Sequence, residues 1–335
     1  MMKGTTHDMS EPPSQAALHL PARDIPIPSS VSAEAQAVMA MPGMVAPEFP
    51  ELGDLEGWRA MIESRDAEIV AAMSLRAPEV PVTTVKRDLG GFGVFEITPD
   101  GVADEGNVYL DIHGGAFIYG RGESCRIMCT GTATRNAAKV WAVDYRMPPD
   151  HPFPVGLEDC LAAYRALLEA HRPDQIIVGG ASAGGNLAAA LMLRARAEGL
   201  PPPAALVLLT PAVDLTESGD SWQTNRGLDP LLAGDSTALA LYVNGHDPTD
   251  PLLSPLFGDL ERGFPPTILT TGTRDMLLSD TVRMHRALRA AGVVAELHVQ
   301  EAAGHGGFFG MAPEDQEILS EVRRFVDTHW GRATP

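Results

Sequence analysis

The rhythm of apolar and polar positions changes near Pro81. Residues 1–30 are rich in Pro, Ser and His and carry no periodicity, so a mobile or loosely packed arm is expected there. Two helical stretches follow, at about 32–41 and 54–76. In the second, Leu55, Trp58, Ile62, Ile69 and Met73 recur at intervals of three, four and seven residues, which puts them on one helix face. Pro42, Pro47 and Pro50 punctuate the gap between the two stretches. A helical pair ahead of the first strand reads as an addition to a core. Its methionines (Met39, Met41, Met44, Met61, Met73) form a deformable apolar surface, equally suited to packing on that core or to lining a pocket.

Beyond Pro81 the apolar runs are short and rich in Val, Ile and Leu. They predict strands near 82–88, 92–97, 107–112, 139–144, 175–179, 204–210, 267–272 and 295–300. Helical patterns at about 121–137, 156–170, 184–198, 280–291 and 313–330 alternate with them. Such alternation predicts an α/β architecture, a mostly parallel central sheet flanked by helices on both faces. Residues 214–262 break the alternation with polar turns and one helical stretch, about 234–244, in a position that suits a lid.

Composition narrows the function. The 335 residues suffice for one large domain or two smaller ones, and 44% of them are hydrophobic, an ordinary value for a globular chain. With 44 acidic and 25 basic residues the formal charge is −19, which repels phosphate backbones and anionic headgroups. Nucleic-acid and membrane-surface partners are therefore not expected. No apolar run approaches the roughly 18–20 residues that span a bilayer. The opening MMKGTTHDMSEPPS shows no apolar core of a secretory signal. Cys125, Cys129 and Cys160 are too few for a disulfide framework and are expected as reduced thiols. A cytoplasmic location is the expectation.

The chemistry concentrates in Ile177-Val178-Gly179-Gly180-Ala181-Ser182-Ala183-Gly184-Gly185-Asn186. An apolar strand enters this G-x-S-x-G and an Ala/Leu-rich helix leaves it. A sharp strand-to-helix turn strains the central residue, and glycines two positions to either side relieve the crowding. The Ser182 hydroxyl is then presented at the carboxyl edge of the sheet, beside a helix N-terminus that favours developing negative charge. A plain Gly-rich turn capping a helix is the alternative, and the strand–turn–helix setting disfavours it.

A serine at its ordinary pKa needs a base, and the base needs an orienting acid. After an elbow of this kind the acid precedes the histidine in chain order. Of the later histidines, His246 falls in the interrupting segment, His285 in a helical pattern, His298 inside a strand and His329 near the end of the chain. His305 lies in the loop Gly304-His305-Gly306-Gly307 after the last strand and is the candidate base. Asp275, just past the preceding strand, is the candidate acid. Asp280 opens the next helix and suits a first-turn dipole partner or cap, while Glu301 ends the histidine's own strand in poorer geometry. Upstream, Asp111-Ile112-His113-Gly114-Gly115-Ala116-Phe117 follows a strand. There the bare N–H groups of Gly114 and Gly115, joined by that of Ala183, can serve as an oxyanion hole. His113 fits a loop-stabilising role. The sequence contains no metal motif: there is no H-E-x-x-H or C-x-x-C, and the Cys125/Cys129 spacing has no second pair. No metal and no cofactor are expected.

Together these stretches resemble the hormone-sensitive-lipase-like (bacterial family IV) esterases of the α/β-hydrolase fold, which carry an H-G-G-G-x loop and a G-D-S-A-G-G elbow. Asp144-Tyr145-Arg146-Met147-Pro148-Pro149-Asp150-His151-Pro152-Phe153-Pro154 resembles that family's D-Y-R-L-A-P-E-H-P-F-P, and Asp250-Pro251-Leu252-Leu253-Ser254-Pro255-Leu256 its D-P-x-x-S-P-L. The Asp275 and His305 loops agree as well, so the likeness covers roughly residues 80–330. Ala116 replaces the third oxyanion-loop glycine, Ala181 the aspartate before the nucleophile, and Asp150 the family's glutamate. The resemblance implies an N-terminal arm and helical cap over residues 1–80 and a catalytic domain over 81–335, with 214–262 contributing to the cap. It also implies short-chain esters as substrates and a homodimer.

The expected activity is therefore a serine carboxylic-ester hydrolase working through an acyl-enzyme. A lactonase or amidase using the same residues is a variant the sequence does not separate. A non-catalytic small-molecule receptor on the same fold would have no need of the full set Ser182, Asp275, His305, Gly114, Gly115 and Ala183.

Overall fold

The computed structural model describes residues 20–43, 47–74, 80–102, 106–261 and 263–332. Two helices come first, α1 (Ala33–Met39) and α2 (Leu55–Ser74). The strands are β1 (Val82–Asp88), β2 (Gly93–Pro99), β3 (Val108–Ile112), β4 (Lys139–Asp144), β5 (Ile176–Ala181), β6 (Ala205–Leu209), β7 (Thr267–Gly272) and β8 (Ala295–Gln300). Between and after them lie α3 (Glu123–Asn136), α4 (Val155–Ala170), α5 (Ala183–Ala197), α6 (Asp220–Thr224), α7 (Thr237–Val243), α8 (Leu278–Ala290) and α9 (Pro313–His329).

The strands form one sheet in the order β1-β2-β4-β3-β5-β6-β7-β8. β1 and β2 pair antiparallel and attach antiparallel to β4, and every pairing from β4 to β8 is parallel. The expected α/β-hydrolase architecture, a mostly parallel sheet flanked by helices, is therefore present. Period-2 alternation sorts the side chains. Val108, Leu110 and Ile112 of β3 join a core with α4, α5 and α8, through Leu157, Leu161, Leu187, Leu191, Met284 and Leu288. Tyr109 points the other way, into a core with α3 and α9 that holds Cys125, Cys129, Phe325 and Val326. All three cysteines are buried and free. Parallel strands carry their carboxyl ends to one edge, so the loops after β3, β5, β7 and β8 gather there.

The N-terminal helices cover parts of that edge. Val31, Ala35 and Val38 on and before α1 pack with Ala302, Ala303, Phe308 and Ala312, around the loop that follows β8. On α2, fully buried Trp58 and Ile62 pack with Ile118, Ala238 and Leu241, and thus with the loop after β3 and with α7. The predicted apolar face of α2 is narrower than its periodicity implies: Leu55 is 43% exposed, whereas Asp66 on the same helix is buried. The Asp66 carboxylate accepts the Gly120 N–H at 2.7 Å, and a carboxylate can be buried when a donor replaces water. Met44 and the arm before residue 20 lie outside the described residues, as do residues 75 and 76 of the second predicted helix; residues 20–28 form neither helix nor strand and are largely exposed. The short α6 was not expected, because five residues are too few to establish a period.

Candidate active site

β5 runs into Ser182, whose backbone sits at φ 55°, ψ −118°, a region that L residues rarely adopt. Ser182 caps α5 without a side-chain hydrogen bond to it, so the hydroxyl is not engaged by its own helix. The flanking glycines are there for space. A Cβ on Gly180 would come within 2.6 Å of the Ile112 carbonyl oxygen, and one on Gly184 within 2.5 Å of the His113 carbonyl oxygen. Gly184→Ala is therefore expected to push the elbow away from the loop after β3, at a cost of about 3 kcal/mol or more. Calorimetry and ester assays test this together, and a variant with unchanged melting temperature and unchanged kcat/KM would contradict it.

The loop after β3 lies directly against the serine: a Cβ on Gly114 would stand 3.3 Å from Ser182 Cβ and 2.8 Å from the Ala181 carbonyl oxygen. Gly115 has φ 119°, a conformation that needs glycine. Among the described residues, none of the N–H groups of Gly114, Gly115 and Ala183 donates to a backbone carbonyl outside its own element. Ala116 has φ 51°, so the residue that stands where the resemblance has glycine keeps its N–H but is held in left-handed conformation, which glycine adopts at lower cost. His113 is buried and stacks on Tyr145 with ring centroids 4.3 Å apart, and its Nδ1 lies 2.8 Å from the Gly114 carbonyl oxygen. Burial pushes its pKa down to about 4, so its ring is neutral near pH 7. These contacts agree with the loop-stabilising role expected for it.

Asp275 and His305 meet at the same edge. His305 Nδ1 donates to Asp275 Oδ1 at 3.1 Å, with Asp275 fully buried and His305 4% exposed. The carboxylate is fixed further by the Leu277 N–H on Oδ1 at 2.8 Å and the Thr271 hydroxyl on Oδ2 at 2.9 Å. Burial alone would lower the pKa of His305, but the charge of Asp275 and its hydrogen bond outweigh it, and the net shift is upward. No hydrogen bond joins Ser182 Oγ to His305 among the described residues; the two stand on loops at the carboxyl ends of β5 and β8 in the same sheet.

The competing residues lie elsewhere. Glu301 is exposed. Asp280 is in the first turn of α8 as expected, but it does not cap that helix: buried, it accepts the Asp214 N–H at 3.0 Å, and burial raises its pKa well above the usual carboxylate range. His246 packs edge-on against Phe153, His298 sits within β8 and His285 within α8. Asp150 pairs with Arg59 of α2 at 2.7 Å, an exposed bridge between the helical pair and the sheet domain that adds little stability. Sequence reasoning missed Asn225 and Asp229, whose side chains reach the Asp275 and His305 loops. The one visible signal is Asp229-Pro230, a turn-initiating pair. No group of three or more His, Cys, Asp or Glu among the described residues is placed to hold a metal, and no described helix is long and apolar enough to cross a membrane.

Comparison with known proteins gives consistent descriptions. The alpha/beta hydrolase fold family model matches residues 109–309. An acetyl-hydrolase of Streptomyces hygroscopicus is 38% identical over 232 residues, covering 68% of this chain and 77% of the relative. Among solved structures, an esterase superimposes with a TM-score of 0.85 at 36% identity, over 93% of this chain and 99% of that one. An esterase from the bacterial hormone-sensitive lipase family superimposes with a TM-score of 0.74 at 31% identity, over 89% of this chain and 99% of that one.

Proposed function

Because the chain belongs to the hormone-sensitive-lipase-like branch of the α/β-hydrolase fold family and is a carboxylic ester hydrolase, we propose that it works through an acyl-enzyme on Ser182, with His305 as base, Asp275 as orienting acid and the N–H groups of Gly114, Gly115 and Ala183 as oxyanion hole. The observation that carries this reading is the buried Asp275–His305 hydrogen bond at the edge where the strained Ser182 elbow emerges. In acylation, Ser182 Oγ attacks the ester carbonyl carbon while His305 Nε2 takes its proton. The carbonyl oxygen becomes an anion facing the three N–H donors, and the Asp275 carboxylate stabilises the imidazolium. Collapse breaks the carbon–oxygen bond to the alcohol, which leaves with the proton from His305. Water, deprotonated by the same imidazole, then attacks the acyl-enzyme, and Ser182 recovers its proton as the carboxylic acid departs. A fluorophosphonate probe tests the assignment: one label per chain, on Ser182, is expected, and a label elsewhere or none would overturn it.

Residues 1–80 act in this reading as arm and cap and residues 81–335 as the catalytic domain, with 214–262 completing the cap. Support comes from α2 and α7, which share one apolar cluster with Ile118 beside the oxyanion loop. A closed cap sets a limit on acyl length. Each methylene that can still be buried gains about 0.8 kcal/mol, and one that meets a wall loses about 1–3 kcal/mol. Across p-nitrophenyl esters of increasing length, kcat/KM is expected to peak at short acyl chains and fall steeply beyond. A profile flat or rising out to long chains would show that nothing confines the acyl group.

A further inference from the structure

We propose that Asp229 is a positioning residue whose carboxylate, reaching in from the 214–262 segment, holds the Asp275 and His305 loops in register with each other. The proposal rests on the assignment of Asp275 and His305 as the acid and base. Asp229 is 7% exposed, and four backbone N–H groups converge on it. Its Oδ1 accepts from Leu231 at 2.9 Å and Leu232 at 3.0 Å, which closes its own turn. Its Oδ2 accepts from Met276 at 2.9 Å and from His305 itself at 3.2 Å. One oxygen thus joins the residue after the acid to the backbone of the base.

A second residue of the same segment grips the other end of the same peptide group. Asn225 Nδ2 donates to the Asp275 carbonyl at 2.8 Å and to the Thr273 carbonyl at 3.2 Å. The peptide between Asp275 and Met276 is therefore held by its oxygen through Asn225 and by its N–H through Asp229. Pro230 closes the arrangement: its ring lies so close to Gly304 that a Cβ there would overlap it. Without this clamp, the loops after β7 and β8 would be tied by the Asp275–His305 hydrogen bond, by the Thr273 hydroxyl accepting the Ala302 N–H at 2.7 Å, and by a few backbone contacts, Arg274 N to the Ala303 carbonyl at 2.9 Å among them. A displacement of about 1 Å in a reacting group is enough to lower a rate on the order of 100-fold.

The residue type follows from the donors. Four N–H groups need an acceptor with about four lone-pair sites, which a carboxylate supplies and an amide does not. Asparagine would turn an NH2 group toward either the Leu231/Leu232 pair or the Met276/His305 pair. The charge has a second effect. The ionised groups acting on the buried His305 ring are Asp275 on the loop after β7 and Asp229 on the 214–262 segment, and both favour the imidazolium that forms when Ser182 loses its proton.

The test uses the full chain, p-nitrophenyl acetate and a fluorophosphonate to count competent sites. Asp229→Asn is expected to take one label per chain at Ser182, more slowly than the wild type. Its kcat per labelled site should fall on the order of 10–100-fold with KM little changed. The ascending limb of its pH profile should move to lower pH, because an anion that stabilises the imidazolium is gone. A role in folding alone would lower the number of labelled sites and leave kcat per site and the limb in place, and that result would overturn the proposal. If Asp229→Asn does not accumulate as folded protein, Asp229→Glu keeps the charge but shifts it by one methylene. Loss of kcat per labelled site is then the expected result, and a wild-type value the contrary one. Failure of the underlying assignment looks different: the wild type itself would take no label on Ser182.

Discussion

Ser182→Ala is expected to lower kcat for a short p-nitrophenyl ester by about 10⁶-fold, the loss seen when a serine hydrolase is deprived of its nucleophile. Folding should be unaffected or slightly improved. The serine backbone is strained at φ 55° and its hydroxyl caps nothing, so removing Oγ breaks no intrahelical hydrogen bond. A residual rate above the uncatalysed one is expected, because the Gly114, Gly115 and Ala183 donors still polarise a carbonyl for attack by water. The measurement is kcat on purified variant alongside its thermal midpoint. Turnover within a factor of ten of the wild type, in protein free of contaminating esterase, would move the nucleophile elsewhere.

His305→Ala should cost a comparable factor, about 10⁶-fold, because serine and base act as a unit. It should also remove the ascending limb of the pH profile. In the proposed mechanism that limb reports His305 losing its proton. Only the neutral ring accepts the serine's proton, so activity is low where the imidazolium persists and rises as pH passes its pKa. The Asp275 carboxylate overcomes the effect of burial and raises that pKa, which places the midpoint of kcat/KM above the reference of about 6.5. Asp275→Asn should lower the midpoint and reduce kcat by about 10⁴-fold, since an amide can hold the ring in the wrong tautomer. A limb that survives His305→Ala, or a midpoint that Asp275→Asn leaves in place, would show that another group carries the proton. His113 provides the internal contrast: buried with a pKa of about 4, it is already neutral below that range.

Much of the architecture was legible along the chain because parallel strands and the helices covering them are written in local periodicity. Val108 to Ile112, apolar but for Asp111, and Thr267 to Gly272, made of apolar and small residues, are buried along their whole length, the mark of strands covered on both faces. α4, by contrast, shows its buried Leu157, Leu161, Ala163 and Tyr164 at helical spacing. The elbow was legible for a different reason: a strand-to-helix turn that puts its central residue at positive φ admits few sequences, and Gly180 and Gly184 are required by contacts that any Cβ would violate. Asp275 and His305 stood out as candidates because loops at the carboxyl ends of parallel strands open on the edge where the elbow emerges, and the structure joins the two by a hydrogen bond there.

Local conformation is written in the order of residues along the chain, and with it which chemistry-bearing residues come to one edge. How those residues are held depends on contacts that exist only in the finished fold. No periodicity marks Asp229 or Asn225, because their partners are backbone groups of Thr273, Asp275, Met276 and His305, brought near only when the sheet is complete. Asp280 was legible as a first-turn acid, yet its actual partner is the Asp214 N–H, 66 positions away. Asp66 carries no local signal at all, and only docking against Gly120 makes it a buried acceptor. The physical reason is common to all three. Helix and strand signals arise from interactions a few residues apart, whereas a buried polar side chain is stable only where the fold delivers a donor or acceptor to it, and that delivery has no local signature.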